Sequence, residues 1–460
     1  MLVALAYARA SDTNMIRRTI RAVLRVALRV YFRRIEVIGL ENVPPDSPVI
    51  FVLNHPNGLV DPAFLLCLAP RRVAFVAKAP LFRLPVIGYV VRALDSLPAY
   101  RRQDEGQDPS RNIETFNAAR QLLARGVTIG ICPEGVSHDE PRLKPLKTGA
   151  ARIALAAASS GDAIDLKIVP VGLYYTEKTT FRSSALLCFA EGLPVKSVTL
   201  EPDGTPPREA VHELSSQIET ALREVMLHAE QEEALSLIGR AEQIFSAAEV
   251  GEHDEEQRLA RSLDLRQRFL EGYAFYRSSS PRRIDAIEAR IVRFEYEMKQ
   301  AGIDPADLSL PPTAAHTIFG LLAQVFTCVL LAPLALFGTV VHYPAYRFAG
   351  YLSRRFARHE QDVLSTFKII SAMLLFPLTW IVITIVSWRL AGWWTGVAAM
   401  IVTPVCGYVA VRFFEEIDRF FGSFVALALF VTRRRSFVRL LAERAAIHRE
   451  ILALGDEAAS

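Results

Sequence analysis

The chain has few cysteines, and none stands in a metal-binding or disulfide pattern. Its five (Cys67, Cys132, Cys188, Cys328 and Cys406) are scattered through 460 residues, mostly inside apolar runs, with no CxxC pair. That spacing fits neither a zinc site nor a disulfide framework and points to buried thiols in a reducing compartment. A net charge of one sign is also missing, since 53 Lys+Arg against 49 Asp+Glu leave +4. The order of a signal peptide is absent too: the apolar run from Met1 to Ala8 precedes its charges, so cleavage and export are not expected. Acidic residues are nearly lacking from positions 1–39, where only Asp12 and Glu36 stand against eight arginines.

What is present is apolar sequence in quantity. The mean hydropathy of +0.22 is high for a chain that stays fully in water, and 460 residues predict two to three units. Arginine crowds again at Arg354, Arg355 and Arg358, and at Arg433, Arg434, Arg435 and Arg439. Because these clusters flank apolar segments, membrane lipids are the expected partner and nucleic acid is not. Residues 14–34 predict an amphipathic helix, with Arg18, Arg21, Arg25 and Arg29 at spacings of three and four. Residues 1–34 are therefore expected to lie in the membrane interface, apolar side down.

From 35 to 205 short apolar runs alternate with helical stretches. Strands are expected at 48–53, 72–77, 127–132, 167–173 and 184–190, with helices such as 110–125 and 147–159 between them. This alternation predicts an α/β fold, a mostly parallel sheet flanked by helices. Residues 206–310 turn charged and alanine-rich and predict a helical insert (207–248, 254–276, 281–301) without chemistry of its own. A C-terminal helical membrane region follows over 311–435. Residues 369–387 and 391–411 are long enough to cross a bilayer of about 30 Å and form a hairpin. Arginines at both its ends place those ends in the cytoplasm. The run 317–343 crosses or re-enters the membrane, and Pro333 favours a bent, re-entrant path that keeps the active domain cytoplasmic. Residues 420–431 are too short to span and read as interfacial, and 436–460 as a basic cytoplasmic tail.

Chemistry concentrates in two places. Asn54-His55-Pro56-Asn57-Gly58-Leu59-Val60-Asp61-Pro62 follows directly on the apolar run 49–53. His55 would emerge at the C-terminal end of a strand, where ligands collect in open α/β sheets. Histidine titrates near neutrality and suits a general base, and Asp61 in the next turn can hold its ring in one tautomer. The second place is Ile131-Cys132-Pro133-Glu134-Gly135, a turn that displays Glu134 at the same edge. The adjacent Ser137-His138-Asp139 does not make a serine hydrolase, because a triad is assembled from separated positions. Lys147 stands just before a helix start, a location that suits a phosphate.

These blocks resemble the glycerolipid acyltransferases, which transfer an acyl group from a thioester to glycerol 3-phosphate or its acylated derivatives. The first block is Asn54-His55 with Asp61; five residues separate the pair, where most members have four. That longer spacing, with Asn57 and Val60-Asp61-Pro62, is similar to the fungal-type glycerol-3-phosphate and dihydroxyacetone-phosphate acyltransferase branch. The second block runs from Gly88 to Arg101, with Arg102 as an alternative to Arg101. The third is Cys132-Pro133-Glu134-Gly135, with cysteine where most members have phenylalanine, and the fourth is Ile168-Val169-Pro170-Val171. The likeness covers about 35–205 and continues through Ser137 to Lys147.

The resemblance implies that His55 is the general base and Asp61 its orienting carboxylate. Arg101 or Arg102, with Glu134, Gly135, Ser137 and Lys147, would bind the glycerol phosphate. It implies an acyl-CoA or acyl-ACP co-substrate, with no other cofactor, no metal and no covalent acyl-enzyme. A lysophospholipid acceptor is the alternative within the class, and a non-enzymatic lipid-binding scaffold the alternative outside it.

Overall fold

The computed structural model describes residues 2–101, 104, 108–138, 140, 142–159, 165–226, 237, 240, 268, 272–273, 275–277, 279–301, 314–357 and 361–459. The chain forms two compact units. The first comprises Met1–His228 and Ala357–Ile369, and the second Ala229–Phe356 and Ile370–Ser460.

The first unit is built on one sheet. Its strands are β1 (Arg34–Ile38), β2 (Val49–Leu53), β3 (Val73–Lys78), β4 (Leu97–Ala99), β5 (Thr128–Ile131), β6 (Lys167–Tyr175), β7 (Ser184–Phe189) and β8 (Leu193–Pro194). The spatial order is β1-β7-β6-β2-β5-β3-β4, with β8 also paired to β6. Strands β2 to β6 are mutually parallel. Parallel neighbours need long crossovers, and helices supply them: α2 (Val60–Leu68), α3 (Pro85–Ala93), α4 (Asn112–Ala124) and α5 (Gly149–Ala158). β7 and β8 run antiparallel to β6, and β1 runs parallel to β7. The expected α/β architecture is therefore observed. The short edge strands β1 and β4 are additions to it; Pro98 within β4 is tolerated because that strand has a neighbour on one side only.

Strand β2 is buried along its whole length, and its residues alternate between the two faces of the sheet. Ile50 and Val52 join one core with Ile129 and Ile131 of β5, Leu123 of α4 and Ala154 of α5. On the other face Phe51 meets Phe189 edge to face, and Phe32, Phe64 and Tyr175 form an aromatic group. Helix α1 (Leu2–Tyr31) delivers Tyr31 and Phe32 to that layer.

Helix α6 (Arg208–Val225) differs from the expected insert. It packs on the sheet through Ile218 and Leu222, which are part of the same core. Gly172 of β6 permits this, because a Cβ there would stand 1.8 Å from the Val225 carbonyl oxygen. Most of the expected segments 207–248 and 254–276 beyond residue 226 lie outside the described residues.

The second unit contains α7 (Pro281–Ala301), α8 (Ala314–Ala357), most of α9 (Gln361–Ala391), α10 (Trp393–Thr432) and α11 (Arg434–Ala459). Among the described residues three stretches are long and apolar enough to cross a membrane: Leu322–Ala357, Asp362–Ala391 and Trp393–Asp418. Residues 317–343 do not fold back at Pro333: α8 is continuous, with Pro333 and Pro344 inside it. Proline removes one intrahelical bond, a loss that apolar helices among neighbours absorb. Residues 420–431 are not a separate segment either, since α10 runs on to Thr432. The expected tail 436–460 is a packed helix. Phe437, Leu440, Ile447 and Ile451 of α11 bury against Ile284, Ile287, Ile291 and Phe294 of α7, and Arg290 bridges Glu443 and Glu450.

Candidate active site

Parallel β2, β5 and β6 end at one edge, because Val52 is in register with Ile131 and Leu53 with Val171. The chain leaves β2 into Asn54-His55 and β5 into Cys132-Pro133-Glu134, while β6 runs on to Tyr175. Asn54 fastens this edge: its side-chain amide donates to the Leu173 carbonyl at 3.0 Å and accepts from the Leu173 N–H at 2.7 Å. That pair of hydrogen bonds continues the β2–β6 ladder by one step with a side chain, which fixes the start of the loop carrying His55.

His55 and Asp61 meet directly, Nδ1 to Oδ2, at 2.9 Å. Asp61 lies in the first turn of α2 and is fully buried, where the helix dipole favours a negative charge. An ionised carboxylate only accepts, so Nδ1 carries a proton, and in the neutral imidazole Nε2 presents a lone pair. The same Oδ2 accepts the Asn57 N–H at 2.7 Å, and Oδ1 accepts the Tyr175 hydroxyl at 2.6 Å. Three donors thus fix one carboxylate, which fixes one imidazole. Burial disfavours a charged His55, but the Cys132 sulfur and the Asp61 carboxylate, both within hydrogen-bonding reach, outweigh it and hold the imidazole well above the ordinary histidine range. Burial, then the Asp61 charge, pushes the Tyr175 phenol well above its usual value, so it stays a donor.

Glu134 does not stand free for a ligand. It is buried (2% exposed), and its Oε1 accepts the His55 N–H at 3.1 Å. Its Oε2 accepts the Lys144 N–H at 2.9 Å and meets His138 Nε2. Glu134 thus acts as a clamp, joining the end of β5 to the backbone of His55 and of Lys144. Gly135 adopts φ +76, the left-handed region that favours glycine. Its carbonyl receives an Arg101 N–H, and Arg101 also grips Asp104 with Nε at 2.8 Å. Arg101 is therefore at the same edge, with its fork partly engaged by Asp104. Lys147 is exposed; its backbone N–H donates to Pro133 at 2.7 Å, and its stem lies beside Gly135. Ser137 donates to Asp362 and His138 turns to Glu134, so these neighbours diverge. Arg102 and Asp139 lie outside the described residues.

Sequence reasoning missed Tyr175, the pair of hydrogen bonds of Asn54, and residues 361–369. Tyr175 left one faint signal, a phenol closing an otherwise apolar strand. The contacts of 361–369 left none, since more than three hundred positions separate Thr366 from Leu59.

An α/β domain with a carboxylate-oriented histidine at the carboxyl edge of a parallel sheet is now defined. Its sequence matches the family described as Acyltransferase over residues 34–174, and residues 251–459 match the family described as Glycerol-3-phosphate acyltransferase 2 C-terminal domain. "Glycerol-3-phosphate O-acyltransferase 2" of Saccharomyces cerevisiae is 27% identical over 60% of this chain and 38% of its own length. "Glycerol-3-phosphate O-acyltransferase 1" of the same yeast is 24% identical over 76% of this chain and 58% of its own. A chloroplastic "1-acyl-sn-glycerol-3-phosphate acyltransferase BAT2" of Brassica napus is 31% identical over 34% of this chain and 42% of its own length. The chain thus carries an Acyltransferase domain followed by a Glycerol-3-phosphate acyltransferase 2 C-terminal domain, a pairing consistent with the fungal-type branch. It spans about two-fifths to three-fifths of the length of these relatives.

Proposed function

We propose that this chain is a membrane-bound O-acyltransferase of phospholipid synthesis. It moves an acyl group from an acyl-CoA or acyl-ACP thioester to glycerol 3-phosphate or dihydroxyacetone phosphate. The observation that carries this reading is the His55–Asp61 contact, with Nδ1 on the carboxylate and Nε2 left for a substrate proton. His55 Nε2 takes the proton of the acceptor hydroxyl as its oxygen attacks the thioester carbonyl. Collapse of the tetrahedral adduct breaks the C–S bond, and the same proton passes from His55 to the departing thiolate. The products are an ester and a free thiol, so the proton balance closes within one active site. Asp61 stabilises the imidazolium during the transfer, as the third member of a triad does. Guanidinium suits the acceptor phosphate by its paired donors, which assigns that group to Arg101, with Lys147 as a second cation.

Acylation of 1-acylglycerol 3-phosphate is the second reading, favoured by the Brassica napus relative. That likeness stays within 34% of this chain, whereas the match to the yeast glycerol-3-phosphate relative extends over 76% of it. The wider match favours the smaller acceptor. Three candidate spans support membrane association, and the cytoplasmic placement of the active domain is proposed with them.

The test is purified full-length chain, in detergent or nanodiscs, assayed for thiol release with each acceptor and both thioesters. Acceptor-dependent release is expected, and His55→Ala should lower it by about 10²–10⁴-fold with the fold intact. Full activity in that variant overturns the mechanism. Thiol release indistinguishable from a protein-free control, in folded material, returns the chain to a lipid-binding scaffold.

A further inference from the structure

The longer spacing between His55 and Asp61 has a physical companion elsewhere in the chain. Five residues, Pro56 to Val60, separate the pair. Gly58 among them adopts φ +43, and a Cβ there would stand 3.0 Å from both the Asp362 carbonyl oxygen and Thr366 Oγ1. Leu59 is the N-cap residue of α2, yet no side chain of its own caps that helix. Its backbone N–H donates instead to Thr366 Oγ1 at 3.1 Å. Helix starts leave amides unsatisfied, and a buried one must find an acceptor; here residue 366 supplies it from the opening turns of α9. The neighbouring residues of that segment are anchored too. Ser137 donates to Asp362, Ser365 donates to the Lys178 carbonyl, and Lys368 Nζ donates to the Thr179 carbonyl at 2.6 Å. Lys178 in turn donates to the Pro56 carbonyl at 3.3 Å. Asp362, Ser365 and Thr366 are all buried, and 361–369 belongs to the first unit.

We infer that residues 361–369 are a positioning element of the catalytic loop, with Thr366 capping α2 through Leu59 so that Asp61 in its first turn meets His55. Residues 361–369 fall within the match to the C-terminal domain, so that region does more than anchor the chain. Thr366, Ser365 and Asp362 touch the loop's backbone or its supports and act through His55 and Asp61. The inference deepens the acyltransferase reading and rests on it for the kinetic part of its test.

The experiment uses the full chain in nanodiscs, as wild type, Thr366→Val and Thr366→Ser. Valine keeps the shape and removes the acceptor, while serine restores it. Two quantities are read: kcat against KM for both substrates, and amide hydrogen exchange of the segment 56–61. Thr366→Val is expected to lower kcat about tenfold, the ratio one net hydrogen bond supplies. KM stays unchanged, exchange at 56–61 quickens, and Thr366→Ser recovers both quantities. Unchanged exchange in Thr366→Val overturns the inference, and so does faster exchange with wild-type kcat. If wild type transfers no acyl group to any acceptor, the reaction assignment fails by itself. Exchange in the valine and serine variants then decides the positioning role alone.

Discussion

Replacing Tyr175 by phenylalanine removes one oxygen and leaves the packing of a buried ring. The phenol donates to Asp61 Oδ1 at 2.6 Å, while Oδ2 is shared by Asn57 and His55. A hydrogen bond to a charged group contributes about 1.5–3 kcal/mol. Without it the carboxylate keeps more of its negative charge for the imidazolium at 2.9 Å. The His55 pKa, already well above the ordinary range, therefore rises further. Half of about 2 kcal/mol reaching the ring is the working magnitude, where about 1.36 kcal/mol is a tenfold change in the protonation equilibrium. The base must be neutral to accept a proton, so on the acid limb the active fraction falls about fivefold. The assay is thiol release as kcat/KM from pH 5.5 to 9.5, with a thermal melt alongside. The expected profile has its acid limb displaced to higher pH and its alkaline plateau close to wild type. A limb that does not move makes Tyr175 a packing residue, and a limb displaced to lower pH refutes the charge argument itself.

Cys132 also raises His55, so Cys132→Ala should move the same acid limb to lower pH; a limb that stays or climbs contradicts the assignment. The sign of the linkage follows: a raised histidine pKa stabilises the fold below its unfolded value and loses that stability as pH rises through the folded value. Thermal melts of Cys132→Ala against wild type should therefore differ most at acid pH. Gly172→Ala tests the packing of α6, because the added methyl meets the Val225 carbonyl at 1.8 Å. Overpacking of this kind costs about 1–3 kcal/mol, and a melting temperature equal to wild type would mean that α6 is not seated on β6 as described.

The fold was legible where periodicity was strong. Residues 48–53 and 167–173 read as strands because apolar runs of that length between turn signals have few other uses, and the structure has Val49–Leu53 and Lys167–Tyr175 there. Helix α6 was misjudged for the opposite reason. Its surface is charged, and its apolar positions Val211, Leu214, Ile218 and Leu222 recur at three and four, the spacing of an amphipathic helix packed on a core. Composition had masked that periodicity. The bend favoured at Pro333 and the separate segment at 420–431 were not observed, because single prolines and segment lengths were weighed without the neighbouring helical sequence that carries each helix through.

The site divides in the same way. His55 and Asp61 are close in sequence, so their pairing could be foreseen from the chemistry of each side chain. Glu134 was found, but residue type reveals a carboxylate and not what fills its lone pairs. The fold spends those lone pairs on the His55 and Lys144 backbone amides and on His138. A carboxylate that fixes the backbone beside an imidazole fixes where that ring points, and positioning of this kind supplies much of an enzyme's advantage. The same logic accounts for Tyr175 and Thr366. Neither has a reactive role to advertise, and each holds something that holds the histidine: Tyr175 the Asp61 carboxylate, Thr366 the amide at the start of the helix bearing it. Supporting residues of this kind are specified by tertiary distance alone. A one-dimensional reading therefore recovers the His55–Asp61 pair and loses the scaffold that holds it.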